Sequence, residues 1–157
     1  MTSTTSAGRW DLQAVRAGIG VCLILAVPLT LIAAFVDTDS SGLNAIFFFG
    51  AMFGFVLGGG CAAWVQRCGT PLSHGVATTI LAYAGAQAVF VTIRLLRGDS
   101  VNWFGVFFTL SLVILAGIAG GILGSQLQAR GVVPSSQRSD QRNDQRNDQR
   151  NDQRGDR

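Results

Sequence analysis

From Ala17 to Val36 the chain runs AGIGVCLILAVPLTLIAAFV, twenty residues without one charge. At about 1.5 Å per residue such a run crosses the ~30 Å hydrocarbon layer of a membrane as a helix. Three further runs follow, Leu43 to Val65, Gly75 to Leu96 and Val101 to Leu127. The third is the weakest, because its apolar stretch ends at Ile93, Thr78, Thr79, Gln87 and Thr92 dilute it, and Arg94 sits near its end. Inside hydrocarbon a backbone must satisfy its own N–H and C=O groups, and a helix does so within one segment. The predicted fold is therefore all-α, a four-helix transmembrane bundle with spans at about 17–36, 43–65, 75–96 and 101–127. Residues 1–16 precede the 17–127 bundle as a short cytoplasmic segment, and residues 128–157 follow it as a tail. The first run is longer than the roughly 7–15 residues of a signal-peptide core and no small-x-small site follows it, so it reads as a span. Pro28 removes the donor to the Ile24 carbonyl and predicts a kink.

Charge is what a soluble surface needs, and here it is misplaced. The chain has twelve basic and nine acidic residues, all Arg and all Asp. Eleven of these lie in residues 135–157, leaving ten for the 134 residues before them. That distribution excludes an ordinary cytosolic enzyme, a disulfide-stapled secreted module and a nucleic-acid-binding domain. The tail repeats Asp-Gln-Arg-Asn from Asp140 onward. As a helix it would stack Asp on Asp and Arg on Arg four residues apart, and it has no apolar residue to bury, so it reads as disordered.

Orientation follows from the short-loop arginines. Arg9 and Arg16 precede the first span, Arg67 joins the second to the third, and Arg130 follows the fourth; Arg94 and Arg97 lie on the other side. The positive-inside rule then places both termini in the cytoplasm of a cell (inner) membrane protein. Trp10, Trp64 and Trp103 fall near span ends, as interfacial aromatics do.

Small residues recur at four-residue spacing. Gly50, Gly54, Gly58 and Ala62 form one stripe in the second span; Ala116, Gly120 and Gly124 form another in the fourth, beside Gly117, Gly121 and Ser125. Such stripes let membrane helices approach closely, either within one bundle or between copies in a homo-oligomer. Each half of the chain also reads Asn, aromatic cluster, glycine run, Gln, Gly: Asn44, Phe47–Phe49, Gly58–Gly60, Gln66, Gly69, then Asn102, Phe107–Phe108, Gly120–Gly121, Gln128, Gly131. The offset drifts from 58 to 62 between the halves, a loose duplication of a helical hairpin.

Few residues offer chemistry. Gln87, Arg94 and His74 are the candidates for a polar site, with interhelical hydrogen bonding, headgroup snorkelling and a polar cap as their structural alternatives. Cys61, Cys68 and His74 fall short of a tetrahedral zinc set. The Asp37-Thr38-Asp39-Ser40-Ser41-Gly42 turn begins like a calcium loop, but the position needing a bidentate Glu is Phe48. No interior Asp, Glu, Lys or His is present for proton coupling, and no nucleophile–base pair or phosphate loop appears. No metal or cofactor is expected.

In hydropathy, in its glycine stripes and in size, the stretch from Ala14 to Gly131 resembles small four-span bacterial membrane proteins of uncharacterised function, actinobacterial ones included. The resemblance implies a four-helix fold and supplies no catalytic residues. The expectation is a non-enzymatic structural or accessory membrane protein, associating through its glycine-lined helices with itself or a membrane partner. The alternative is a small channel or facilitator for an uncharged or weakly charged solute. Beyond the lipid bilayer the partner is unspecified, and nucleic acid is not one.

Overall fold

The computed structural model describes residues 10–35, 41–132 and 134, and every regular element among them is a helix. The helices are α1 (Leu12–Phe35), α2 (Ser41–Val65), α3 (Pro71–Leu96) and α4 (Trp103–Ala129), each long and apolar enough to cross a membrane. The chain is thus a multi-pass membrane protein. The Asp-Gln-Arg-Asn tail and the turn at Asp37 and Asp39 lie outside the described residues.

Helix starts fall where local chemistry sets them. Asp11 caps α1, its Oδ1 accepting from the N–H groups of Gln13 and Ala14 at 3.1 Å each, so the helix begins before the apolar run does. Pro71 opens α3 four residues earlier than hydropathy suggests, since proline at the first helical position lacks a donor the helix does not use there. Asn102 caps α4 by accepting from Gly105 N–H at 3.1 Å, placing the start at Trp103 rather than Val101. After α2 and α4 the chain turns through Gly69 and Gly131, both at φ +72°, where a side chain would be strained. The α1 helix is continuous through Pro28.

Each helix packs on neighbours in the ring order α1–α2–α4–α3, with α2 also touching α3 across the middle and α1 not reaching α4. The helices alternate in direction. The start of α1, the end of α2, the start of α3 and the end of α4 meet at one face, here the terminal face; the other ends form the far face.

Burial is inverted relative to a water-soluble bundle. Phe49, Phe53, Phe104, Phe107 and Leu115 point outward, while Ala14, Cys22, Ala26, Ala51, Ala62, Ala63 and Ala82 fill the interior. Lipid tails are as apolar as Leu, so bulky side chains gain nothing by turning inward, whereas small ones admit backbone-to-backbone contact.

The glycine stripes are occupied by helices of the same chain. A Cβ at Gly50 would meet Leu29 of α1 at 3.0 Å, one at Gly54 Leu25 Cβ at 2.9 Å, and one at Gly58 the Gly18 carbonyl at 2.7 Å. Ala62 is fully buried on the same line. In α4 the two stripes serve two partners. Gly120 and Gly124 face α2, with Gly60 N at 2.7 Å from a Cβ at Gly120 and Ala63 Cβ at 2.7 Å from one at Gly124. Gly117 and Gly121 face α3, with Val76 Cα and Leu72 Cα at 3.1 and 3.2 Å. In this structure these glycine faces are occupied by neighbouring helices of the same chain.

The two halves of the chain meet along α2 and α4. Gly60 packs on Gly120, and Gln66 Nε2 donates to Gln128 Oε1 at 3.4 Å. Corresponding residues of the loose repeat thus face each other, an arrangement that a hairpin duplicated about an axis along the membrane normal produces.

Candidate functional site

The packing is uneven along the bundle. Toward the terminal face the helices approach on their glycines, with a cavity of about 390 Å³ on the α2–α4 flank beside Cys61, Trp64 and Arg130; toward the far face larger side chains stand around two further cavities. The inner one, about 340 Å³, lies between α1, α2 and α3 and is lined mostly by apolar groups, among them Ala26, Ala51, Met52, Phe55 and Phe90. The outer one, about 480 Å³, lies between α3 and α4 and includes Arg94, Asn102, Val101 and Val106. Thr30, Tyr83, Gln87, Phe90 and Thr109 line both, so the two form one vestibule.

Tyr83 stands at the junction. It is buried on α3, its ring packs edge-on against Phe55 with centroids 6.4 Å apart, and its hydroxyl donates to the Val106 carbonyl at 2.8 Å. Gln87 and Thr109 line the same cavities as Tyr83. A buried phenol needs a partner such as the Val106 carbonyl, because an unpaired hydroxyl in hydrocarbon is costly.

Of the candidate polar residues, Gln87 and Arg94 are brought together. They stand seven residues apart on α3, about two turns and ~10 Å along one face, and both line the outer cavity. Among the described residues no ion pair reaches the Arg94 guanidinium; its link to Asp99 is a backbone one, Asp99 N–H to the Arg94 carbonyl at 3.0 Å.

His74 belongs to the opposite end. It is fully buried at the terminal face, with Trp10 packed over it at 5.2 Å between ring centroids. Asp11 N–H donates to Nε2 at 2.9 Å, and a backbone N–H has no other role to play, so Nε2 is the bare nitrogen. The proton is on Nδ1, which donates to the Thr70 carbonyl at 2.9 Å. Both ring nitrogens are thereby committed, and the imidazole fastens the start of α1 to the start of α3. Among the described residues no three His, Cys, Asp or Glu side chains come together as a metal set.

A second clasp joins α2 to α4 at the same face. Gln128 Nε2 donates to the carbonyls of Trp64 and Gln66 at 2.9 and 3.0 Å, and Gln66 Oε1 accepts from Cys68 N–H at 2.7 Å. Trp64 Nε1 donates to the Val132 carbonyl at 2.6 Å.

Three residues outside the sequence-derived site candidates shape the interior. Thr78, Thr79 and Tyr83 join His74 on the buried face of α3. Thr79 donates to the Val76 carbonyl at 3.0 Å, while Thr78 Oγ1 is buried with no partner. A helical signal existed: Thr79, Tyr83 and Gln87 recur every four residues and so share a face. Ser111 is exposed, bonded to the Phe107 carbonyl at 3.1 Å, and stands apart from this line.

Comparison of the chain with protein-family models, with curated protein sequences and with solved structures finds no match.

Proposed function

We propose that the chain is a non-enzymatic accessory protein of the cell membrane, with its terminal face cytoplasmic, that works by holding a small molecule in the far-face vestibule. What supports the reading is the pairing of a vestibule lined by Tyr83, Gln87 and Thr109 with a seam beneath it too tight for a Cβ. Cavities of roughly 300–1,000 Å³, mostly apolar with a few placed polar groups, are the usual form of small-molecule sites. The orientation rests on Arg16, Arg67 and Arg130 at the terminal face.

A second reading, a facilitator for an uncharged or weakly charged solute, is favoured by one observation. The polar face of α3 continues below the vestibule through Thr79 and Thr78, whose hydroxyl has no partner. Conduction would then require the glycine seam to open.

Single cysteines in a background with Cys22, Cys61 and Cys68 replaced by Ala separate the two. A membrane-impermeant thiol reagent should modify Gln87→Cys and Thr109→Cys from the outer side only, and Thr78→Cys from neither. Modification of Thr78→Cys from both sides would establish the facilitator instead. Unreactive cysteines at both 87 and 109 would remove the vestibule as the working part.

A further inference from the structure

We propose that the vestibule takes a slender amphipathic anion, with a single hydrocarbon chain in the inner compartment and a carboxylate or phosphate head at Arg94 and Asn102. The assignment rests on the vestibule being the working part of the molecule, and it adds the chemistry of the occupant.

The two compartments differ in the way the two ends of an amphipath differ. Ala26, Ala51, Met52 and Phe55 give the inner space a mostly apolar wall, with Asn44 and the shared Thr30, Tyr83, Gln87 and Thr109 as its polar members. At about 340 Å³ the compartment is at the small end of small-molecule sites, which suits a single hydrocarbon chain.

The outer space supplies donors. Arg94 is the one charged side chain among the described residues that line either cavity, and no carboxylate lines them. Its guanidinium carries five N–H donors in a planar fork that matches carboxylate and phosphate oxygens two at a time. Asn102 uses Oδ1 to cap α4, which turns the acceptor to the helix and leaves the amide NH₂ as its remaining function. Tyr83 gives its proton to the Val106 carbonyl, so it fixes the wall between the compartments. A neutral head would gain only hydrogen bonds here, and a zwitterionic head would carry its own cation toward Arg94.

The test uses the full chain in phosphatidylcholine nanodiscs, with a diazirine-bearing fatty acid as photoprobe and mass spectrometry to place the adducts. Ionised dodecanoate, dodecyl phosphate, dodecanol and two-chain phosphatidic acid are the competitors. Adducts should fall on Met52 and Phe55. Dodecanoate and dodecyl phosphate should both compete, about tenfold better than dodecanol, as one charge-assisted pair provides; the stronger of the two anions tells a fatty acid source from a phosphate ester. Phosphatidic acid should compete poorly, because the proposal seats one chain in the inner compartment. Arg94→Gln should weaken the anions about tenfold and leave dodecanol unchanged, and Arg94→Lys should restore part of the loss. Arg94 is exposed, so neither variant threatens the fold.

Equal competition by dodecanol, or anion binding indifferent to Arg94→Gln, overturns the head-group assignment. Strong competition by phosphatidic acid overturns the single-chain assignment. If Gln87→Cys stays reactive from the outer side in either case, the vestibule reading survives; adducts confined to the outer surface together with an unreactive Gln87→Cys defeat both.

Discussion

The terminal half of the bundle and its far half are built from the same four helices and behave as different materials. In the terminal half, Gly18, Gly58, Gly60, Gly75, Gly117, Gly120 and Gly124 bring backbone to within contact of backbone, and His74 and Gln128 tie the helix ends across it. In the far half, Phe47, Met52, Phe90 and Gln87 line cavities of about 340 and 480 Å³, whereas the terminal half's cavity of about 390 Å³ lies on the outer α2–α4 flank. Apolarity does not explain the difference, since both halves are apolar. In lipid the hydrophobic effect does not press helices together, so the distribution of small residues decides where a bundle closes. Closure at one end leaves the other end free to carry a site.

One substitution made in both halves breaks or upholds that contrast most sharply. Gly120→Ala places a methyl against the Val56 carbonyl and 2.7 Å from Gly60 N, both backbone atoms that move only with their helices. Separating α2 from α4 should cost about 3 kcal/mol or more. Gly85→Ala, on α3 in the far half with nothing within 4 Å, should stabilise by about 0.5–1 kcal/mol through helix propensity alone. Thermal melts of the two variants in one detergent should move in opposite directions. Parallel shifts would show that the glycines act only through propensity.

The next effect concerns the His74 fastening. His74→Ala leaves Asp11 N–H unpaired and opens a void beneath Trp10, a loss of about 2–4 kcal/mol. Its far-half counterpart is Tyr83→Phe, which removes one bond to the Val106 carbonyl and should cost about 1 kcal/mol. Proteolysis near the N-terminus offers a second readout: His74→Ala should expose the Trp10–Arg16 stretch, and Tyr83→Phe should not. Equal sensitivity of the two variants would mean that the imidazole holds nothing in place.

These sites mark how far the sequence carries. Four spans, an all-helical fold and the glycine stripes are legible because lipid imposes length and apolarity, and because a four-residue period survives any packing. Which neighbour each stripe meets is not legible. Gly117 and Gly120 are three residues apart and address different helices, and only the ring order α1–α2–α4–α3 decides that. The His74 fastening escapes for a related reason, since Asp11 and His74 are 63 positions apart and each looks ordinary alone. Gln87 and Arg94 are visible as polar residues in an apolar run. Tyr83 is not, because an aromatic in a span passes for lipid-facing bulk until its hydroxyl finds the Val106 carbonyl.

A smaller effect tests the seam between the two repeat halves. Gln66 and Gln128 occupy matching places in the loose duplication and bond to each other and to nearby carbonyls. In a double-mutant cycle with Leu at each position, the coupling should be about 0.6 kcal/mol and no more than ~1.7, the range of interhelical hydrogen bonds in membranes. Zero coupling would leave the α2–α4 seam to the glycines and the Trp64–Val132 bond.

The smallest expected change is the one that separates stability from function. Gln87→Leu removes an amide from the vestibule wall, where space is available and the helices are already apart. Tyr83 keeps its bond to Val106 in the variant, so no buried donor is orphaned. Leu fits the hydrocarbon surroundings and the helix, and the melting point should stay within the equivalent of about 0.5 kcal/mol. Reagent access is a different matter: with an apolar side chain in place of the amide, a cysteine at Thr109 should react more slowly with a polar reagent, because water enters an apolar passage less readily. A variant as stable as the parent and slower at Thr109 is what a working far half on a rigid terminal half requires. If Gln87→Leu instead melts as early as His74→Ala, the two halves form one packing unit and the division between them fails.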